Sequence, residues 1–325
     1  RARFEYENPE AKIERTEFTL HDATLFYAGA FTKNYSGFVE AEFEPEDGST
    51  EISLIGQLQG VFGTADGFFS FRTGQMHVLQ RVGVGGLDRP TGISTTPVYS
   101  TTLTFNPLGE DAGLKISEDQ KGLELAYVHG SNRFLVLVLN GLDEGAKGRN
   151  KNFDEDPDKD YLVAYERILD DLASGFTAFY YQGTRHATFT STLPQTLAGR
   201  FDFSRLGANL SKVVPWGPVN AELQGGYIRS YDNIPSEAGG KDVEGHAFYV
   251  ESQQFLTGPE ITFLERYSLI EQNAALNNSR RHDLTAGVVL PVQTWLRVAA
   301  EYTYTDNRAT GLSDHLARLE LMANW

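Results

Sequence analysis

Toward the C-terminus, apolar and polar residues alternate with a period of two. In HDLTAGVVL, Leu284, Ala286, Val288 and Leu290 share one face, and Asp283, Thr285 and Gly287 share the other. In LRVAAEYTYT, Leu296, Val298, Ala300, Tyr302 and Tyr304 alternate with Arg297, Ala299, Glu301 and Thr303. SDHLARLELMANW sets His315, Ala317, Leu319, Leu321, Ala323 and Trp325 against Asp314, Leu316, Arg318, Glu320, Met322 and Asn324. Successive side chains of a strand point to opposite faces, so this pattern predicts strands with one apolar face. The unit recurs upstream in GFVEAEFE, ISLIGQLQG, GLELAY and AELQGGY, with Glu40, Glu42, Glu124 and Glu222 on the polar side. Two segments break phase: FDFSRLGANL near Arg205, and TFLERYSL, where Glu265 joins Phe263 and Tyr267 in the apolar set. A bulge repairs either one.

Sixteen such segments are predicted, from 1–8 to 313–325, and the connections between them alternate in kind. FTKNYS, GTADG, GSN, LDDLAS, PWG, LTGPE and PVQT are short. PEAKIER, PEDGST, 77–120, 141–159, 184–197, 230–242, 271–280 and DNRATGLS are polar and mostly longer. A soluble sandwich needs buried inner faces on both sheets. Here the second face carries Glu251, Glu301 and Glu320 as well as the glutamates above. An even strand count with short turns on one rim is the arrangement of a membrane barrel, apolar outside and polar inside. The expected architecture is therefore all-β: a transmembrane antiparallel β-barrel of about sixteen strands forming one domain over residues 1–325. Barrels of ~16–18 strands are wide enough for an aqueous channel.

Composition narrows the function. With no Cys there is no disulfide, Cys-ligated zinc, iron–sulfur cluster or covalently attached haem, and no cofactor is expected. A net charge of -16 argues against nucleic acid. The longest strictly aliphatic-aromatic run, Phe134 to Leu139, is far short of a membrane helix. The chain opens on Arg1 without a charged-then-apolar leader, which predicts removal of an export signal. Aromatics at strand ends, among them Tyr127, Tyr267, Trp295 and Tyr302, fit interfacial girdles beside outer-membrane lipids and lipopolysaccharide.

Residues 77–120 are out of proportion, and their Val78, Leu79, Val82, Val84, Leu87 and Ile93 need somewhere to pack. The simplest place is inside, as a constriction. GFFSFRTGQMHVLQRVGVGGLDRPTGIS resembles the fifth strand and constriction loop of sixteen-stranded substrate-selective porins, the phosphate-selective family in particular. GAFTKNYSGFVEAEFE resembles that family's second turn and third strand, and GSNRFLVLVLNG its sixth turn and seventh strand. The resemblance spans about the first 170 residues. It implies a bacterial outer-membrane diffusion channel, trimeric, with an internal third loop.

That family's ladder of Arg and Lys is missing. The inward set contains Arg3, Arg72, Arg297 and Arg318 against many acids, including Glu5, Asp22, Glu44, Glu166 and Asp283 besides those already named. Such a lumen repels anions over ~8 Å at physiological salt. Bases cluster at the constriction instead: Arg72, His77, Arg81 and Arg89, beside Asp88. They either filter solutes as charged rings do or tie the loop to the wall.

Two other roles are open to a barrel of this kind. A porin-like barrel can sheathe or dock a multihaem cytochrome as the insulating partner in an electron conduit. An outer-membrane enzyme needs a catalytic constellation, and in Ser313-Asp314-His315 neighbouring side chains point to opposite faces. KNFDEDPDKD (151–160) is acidic but lacks calcium-loop spacing, so no metal site is assigned.

Overall fold

The structure is a computed structural model that describes residues 2–9, 15–20, 23–46, 49–77, 93, 94, 96, 98, 119–141, 158–170, 174–190, 196–233, 242–276, 278–308 and 310–323. Its first strands are β1 (Ala2–Pro9), β2 (Arg15–Leu20), β3 (Ala23–Ala30), β4 (Tyr35–Glu46), β5 (Ser49–Gly63) and β6 (Phe68–His77). After the long connection come β7 (Asp119–His129), β8 (Asn132–Leu139), β9 (Asp160–Ile168), β10 (Gly175–Thr190), β11 (Thr196–Trp216) and β12 (Val219–Asn233). The last are β13 (Val243–Leu256), β14 (Ile261–Glu271), β15 (Arg280–Gln293), β16 (Leu296–Asn307) and β17 (Leu312–Ala323).

From β3 to β17 each strand pairs antiparallel with its neighbour in sequence. β1 bonds to β17 along one edge and to β2 along the other. Since β2 leads into β3 across two residues, the two make one stave, and the seventeen strands form a ring of sixteen. Among the described residues β2 pairs with β1 and β3 with β4, one edge each, and every other strand pairs along both edges. In hydrocarbon every backbone group must find its partner within the protein, and a closed ring meets that demand.

The two rims differ as expected. One carries the connections 31–34, 64–67, 130–131, 169–174, 217–218, 257–260 and 294–295. Gly130 (φ 55°) and Gly217 (φ 61°) supply left-handed backbone in two of the three two-residue turns on this rim. On the other rim several connections are shorter than the sequence suggested, two of them most clearly. β4 and β5 pair as far as Glu46 and Ser49, and β10 and β11 as far as Thr190 and Thr196. Thr and Phe in RHATFT suit a pleated strand, which extends that hairpin where a loop was expected.

Alternation sorts the faces. Leu123, Leu125, Phe134, Val136, Leu206, Leu210, Leu319 and Leu321 are exposed on the outside, while Glu124, Arg205, Asn209 and Glu320 are buried on the lumen side. The outer set meets acyl chains. Leu206→Arg should therefore cost ~2–4 kcal/mol if the residue lies near mid-bilayer. Ala28→Arg, on the open lumen side, should cost far less; urea unfolding in vesicles measures both. Near the long-connection rim, three hairpins repeat one outward motif. A Tyr hydroxyl lies 2.6, 2.9 and 2.6 Å from a His Nδ1 in Tyr227–His246, Tyr267–His282 and Tyr302–His315.

The expected bulges at Arg205 and Glu265 are absent. β11 and β14 keep unbroken register with both neighbours. Phe203 is an apolar residue on the lumen side, packed edge-on against Tyr181, so β11 never changes phase. Glu265 stands on the outer face between Ser252 and Ala286. The phase slip occurs elsewhere. Register carries the lumen side on odd positions in β2 and on even positions in β3, so alternation shifts by one between the two. Asp22 lies in that gap, outside the described residues.

The turn after β9 is pinned by charge. Asp170 accepts a 2.5 Å bond from Lys212, and chiefly for that reason, with Ser174 second, its pKa is lowered to about 2. A depressed carboxylate stabilises the fold above its unfolded pKa near 4 and loses that contribution as pH falls through 2. Asp170→Asn should remove this acid dependence, so the thermal stabilities of the two proteins should converge below pH 2.

Candidate functional site

The lumen wall is built from charges that answer one another. Arg72 and Glu124 face each other on β6 and β7, both buried, 2.8 Å apart. From β8, Arg133 reaches Glu166 at 2.8 Å and Glu124 at 3.5 Å. Arg205 bonds both carboxylate oxygens of Asp232, at 2.9 and 3.2 Å. Arg266 lies 3.5 Å from Glu251, and Arg281 lies 2.9 Å from Asp283. Across the β17–β1 seam, Arg318–Glu5 and Arg3–Glu320 span 2.8 and 2.9 Å. Glu222 accepts from Ser211 and Gln224, each at 2.8 Å.

Of the lumen residues expected from sequence, Glu124, Glu222, Glu251, Arg297, Glu301, Arg318 and Glu320 take lumen-side positions, as does Glu40 opposite Phe26. Position 42 falls on the same side of β4. Of the constriction set, Arg72 is locked into the wall, and His77 ends β6 opposite Asp119. Arg81, Asp88 and Arg89 lie outside the described residues. The inward bases Arg133, Arg205, Arg266 and Arg281 were missed, and they make the wall a mosaic rather than one-signed. One signal was available: with Glu265 in the apolar set, alternation puts Arg266 in the lumen.

The third connection reaches far from its roots. Ile93 N and Ser94 N donate to Glu301 Oε2 at 3.0 and 3.2 Å, and the Ser94 hydroxyl bonds Glu301 Oε1. Arg266 donates to the Ser94 carbonyl at 3.2 and 3.3 Å and to its hydroxyl at 3.1 Å. Glu301 and Arg266 project into the lumen from β16 and β14, whereas the connection springs from β6 and returns at β7. Counted around the ring, β14 is eight staves from β6, the opposite side. Residues 93 and 94 therefore sit inside the barrel, across from where their segment begins.

The two halves of the inner wall differ. On β7 to β14, the lumen-side residues Ala126, Leu135, Leu137, Leu139, Leu162, Phe179, Tyr181, Ile228 and Ile270 are sealed from water in one cluster with Val98 of the connection. This explains FLVLVL: its odd-numbered leucines pack inside and its even-numbered Phe and Val face outward. On β3, by contrast, the lumen-side residues Phe26 and Ala28 are exposed. Among the described residues no group of three or more His, Asp or Glu is placed to hold a metal ion, and residues 151–157 lie outside them. Ser313 and His315 share the outer face, where His315 lies beside Tyr302 and Tyr304, and Asp314 takes the lumen side, so the three do not converge.

No protein-family model matches the chain, and no curated protein matches it. Solved structures do. An anion-selective porin from Comamonas acidovorans aligns with TM-score 0.63 and 15% identity over 99% of this chain and 96% of that one. The loop L8 deletion mutant of OmpT, an outer membrane protein of Vibrio cholerae, gives TM-score 0.60 and 14% identity over 98% and 95%. OprB of Pseudomonas putida gives 0.59 and 7% over 99% and 92%. The chain has the outer-membrane porin fold. Within that fold the apolar belt faces outward and the charged side chains line the lumen.

Proposed function

We propose that this protein is a passive diffusion channel of the bacterial outer membrane for small hydrophilic solutes and ions. The observation that carries this reading is the bridge from Ser94 to Glu301 and Arg266, which narrows an otherwise wide bore from within. Selection then follows from size and from the field of the wall charges, with no bond made or broken. A bore divided in this way suits filtering better than enclosing a folded cytochrome.

The phosphate-selective likeness of residues 67–94 supports an internal third loop more than it supports phosphate as cargo. Seven inward arginines are each held by an acid within 3.5 Å, which leaves little net positive field to gather anions. Arg72, His77, Arg81, Asp88 and Arg89, with the wall acids, set the filter, and a weak cation preference follows. A trimer is the expected assembly; the OmpT of Vibrio cholerae folded in vitro has a trimer form.

The test is planar-bilayer recording of the purified protein under a KCl gradient. Stepwise conductance with a small cation-directed reversal potential is expected. Absence of conductance would refute the channel, and a strong anion preference would refute the charge argument alone.

A further inference from the structure

The lumen side of β3 and β4 carries an aromatic pair. Phe26 of β3 and Phe38 of β4 both take lumen-side positions, since Phe26 lies opposite Glu40, and Phe38 opposite Gln57. Their ring centroids are 5.9 Å apart, inclined at 32°. Phe26 is 60% exposed. Bare aromatic surface in a wet bore is unfavourable by ~25 cal/mol per Å², and contiguous apolar surface left in water commonly marks a binding site.

The fringe of this platform is polar and already oriented. Gln59 Nε2 donates to Ser36 Oγ at 2.8 Å, and Gln57 Nε2 donates to the Gln75 carbonyl at 2.9 Å. Arg72 Nη1 lies 3.5 Å from Gln57 Oε1, which links the platform to the Arg72–Glu124 pair. Ser36 and Gln59 sit one lumen-side position to one side of Phe38, and Glu40 one position to the other.

We propose that Phe26 and Phe38 form a stacking subsite for neutral carbohydrate inside the channel. A pyranose has an apolar C–H face that covers such rings and a rim of hydroxyls that both donate and accept. Glu40 accepts such donors, and the Ser36 hydroxyl and the Gln59 amide do both. The same carboxylate disfavours anionic solutes. The proposal rests on the channel reading and names a substrate class for it.

Maltose titrated into single channels in KCl tests it. The wild type should show sugar-dependent reduction of current, half-maximal at a measurable concentration. The F26L/F38L double variant keeps apolar bulk without flat rings. It should raise that concentration about tenfold, the equivalent of ~1.4 kcal/mol of ring-specific contact, with KCl conductance intact. Phe69→Leu, on the outer face, should change nothing. Gluconate should reduce the current less than maltose at equal concentration. If the wild type conducts KCl but maltose has no effect, or acts equally on the F26L/F38L protein, the subsite is refuted and the channel stands. If the wild type does not conduct, the channel reading falls and the subsite with it.

Discussion

Glu301→Ala raises mean single-channel conductance and open-channel noise. The carboxylate accepts three hydrogen bonds from residues 93 and 94, and each bond to a charged group contributes ~1.5–3 kcal/mol. Without them Ser94 keeps its bonds from Arg266, on the same side of the bore. The third connection then leaves the far wall for part of the time, and the narrow section widens whenever it does. Glu301→Gln retains one carbonyl acceptor and should fall between wild type and Ala. Removing residues 80–95 sets the upper limit of conductance. Equal currents in all four proteins would show that residues 93 and 94 do not narrow the solute path.

Much of this was readable from the chain, for a physical reason. Period-2 alternation follows from strand geometry, so the polar face of SDHLARLELMA had to include Arg318 and Glu320, and it does. The barrel followed from putting the apolar set in lipid. Partners were another matter: alternation gives the face of a residue, but register decides which residue lies opposite. Arg205 and Asp232 are 27 positions apart and meet diagonally across β11 and β12. Nothing local in FDFSRLG announces that pair. Phe203 misled for a related reason. An apolar residue was read as lipid-facing, but the lumen between β7 and β14 is filled and accepts apolar side chains. The reach of the connection was legible in kind, since its hydrophobic residues needed cover. Its anchor points on β14 and β16 were not, because they are contacts at separations of 172 and 208 residues.

The Arg205–Asp232 pair also carries the largest expected effect on stability. Arg205 is fully buried, bonded to both oxygens of Asp232 and to the carbonyls of Ser204 and Tyr231, with its guanidinium 5.4 Å from the Phe203 ring. Two charges withdrawn from water offset each other only while both are present. Asp232→Ala strands the guanidinium beside Phe203 and Tyr181, and breaking a buried pair in this way costs ~3–5 kcal/mol. Removing both charges together has a different sign of argument. In the R205M/D232L double variant neither desolvation cost remains, apolar side chains fill part of the space against the Phe203 ring, and stability should return close to wild type. Urea unfolding in lipid vesicles, followed by tryptophan emission, reads both effects. The decisive outcome is the comparison: a double variant as unstable as D232A would mean that the pair contributes specific attraction beyond neutralisation. A D232A protein as stable as wild type would mean that water reaches Arg205 through the lumen and the site is wetter than its burial indicates.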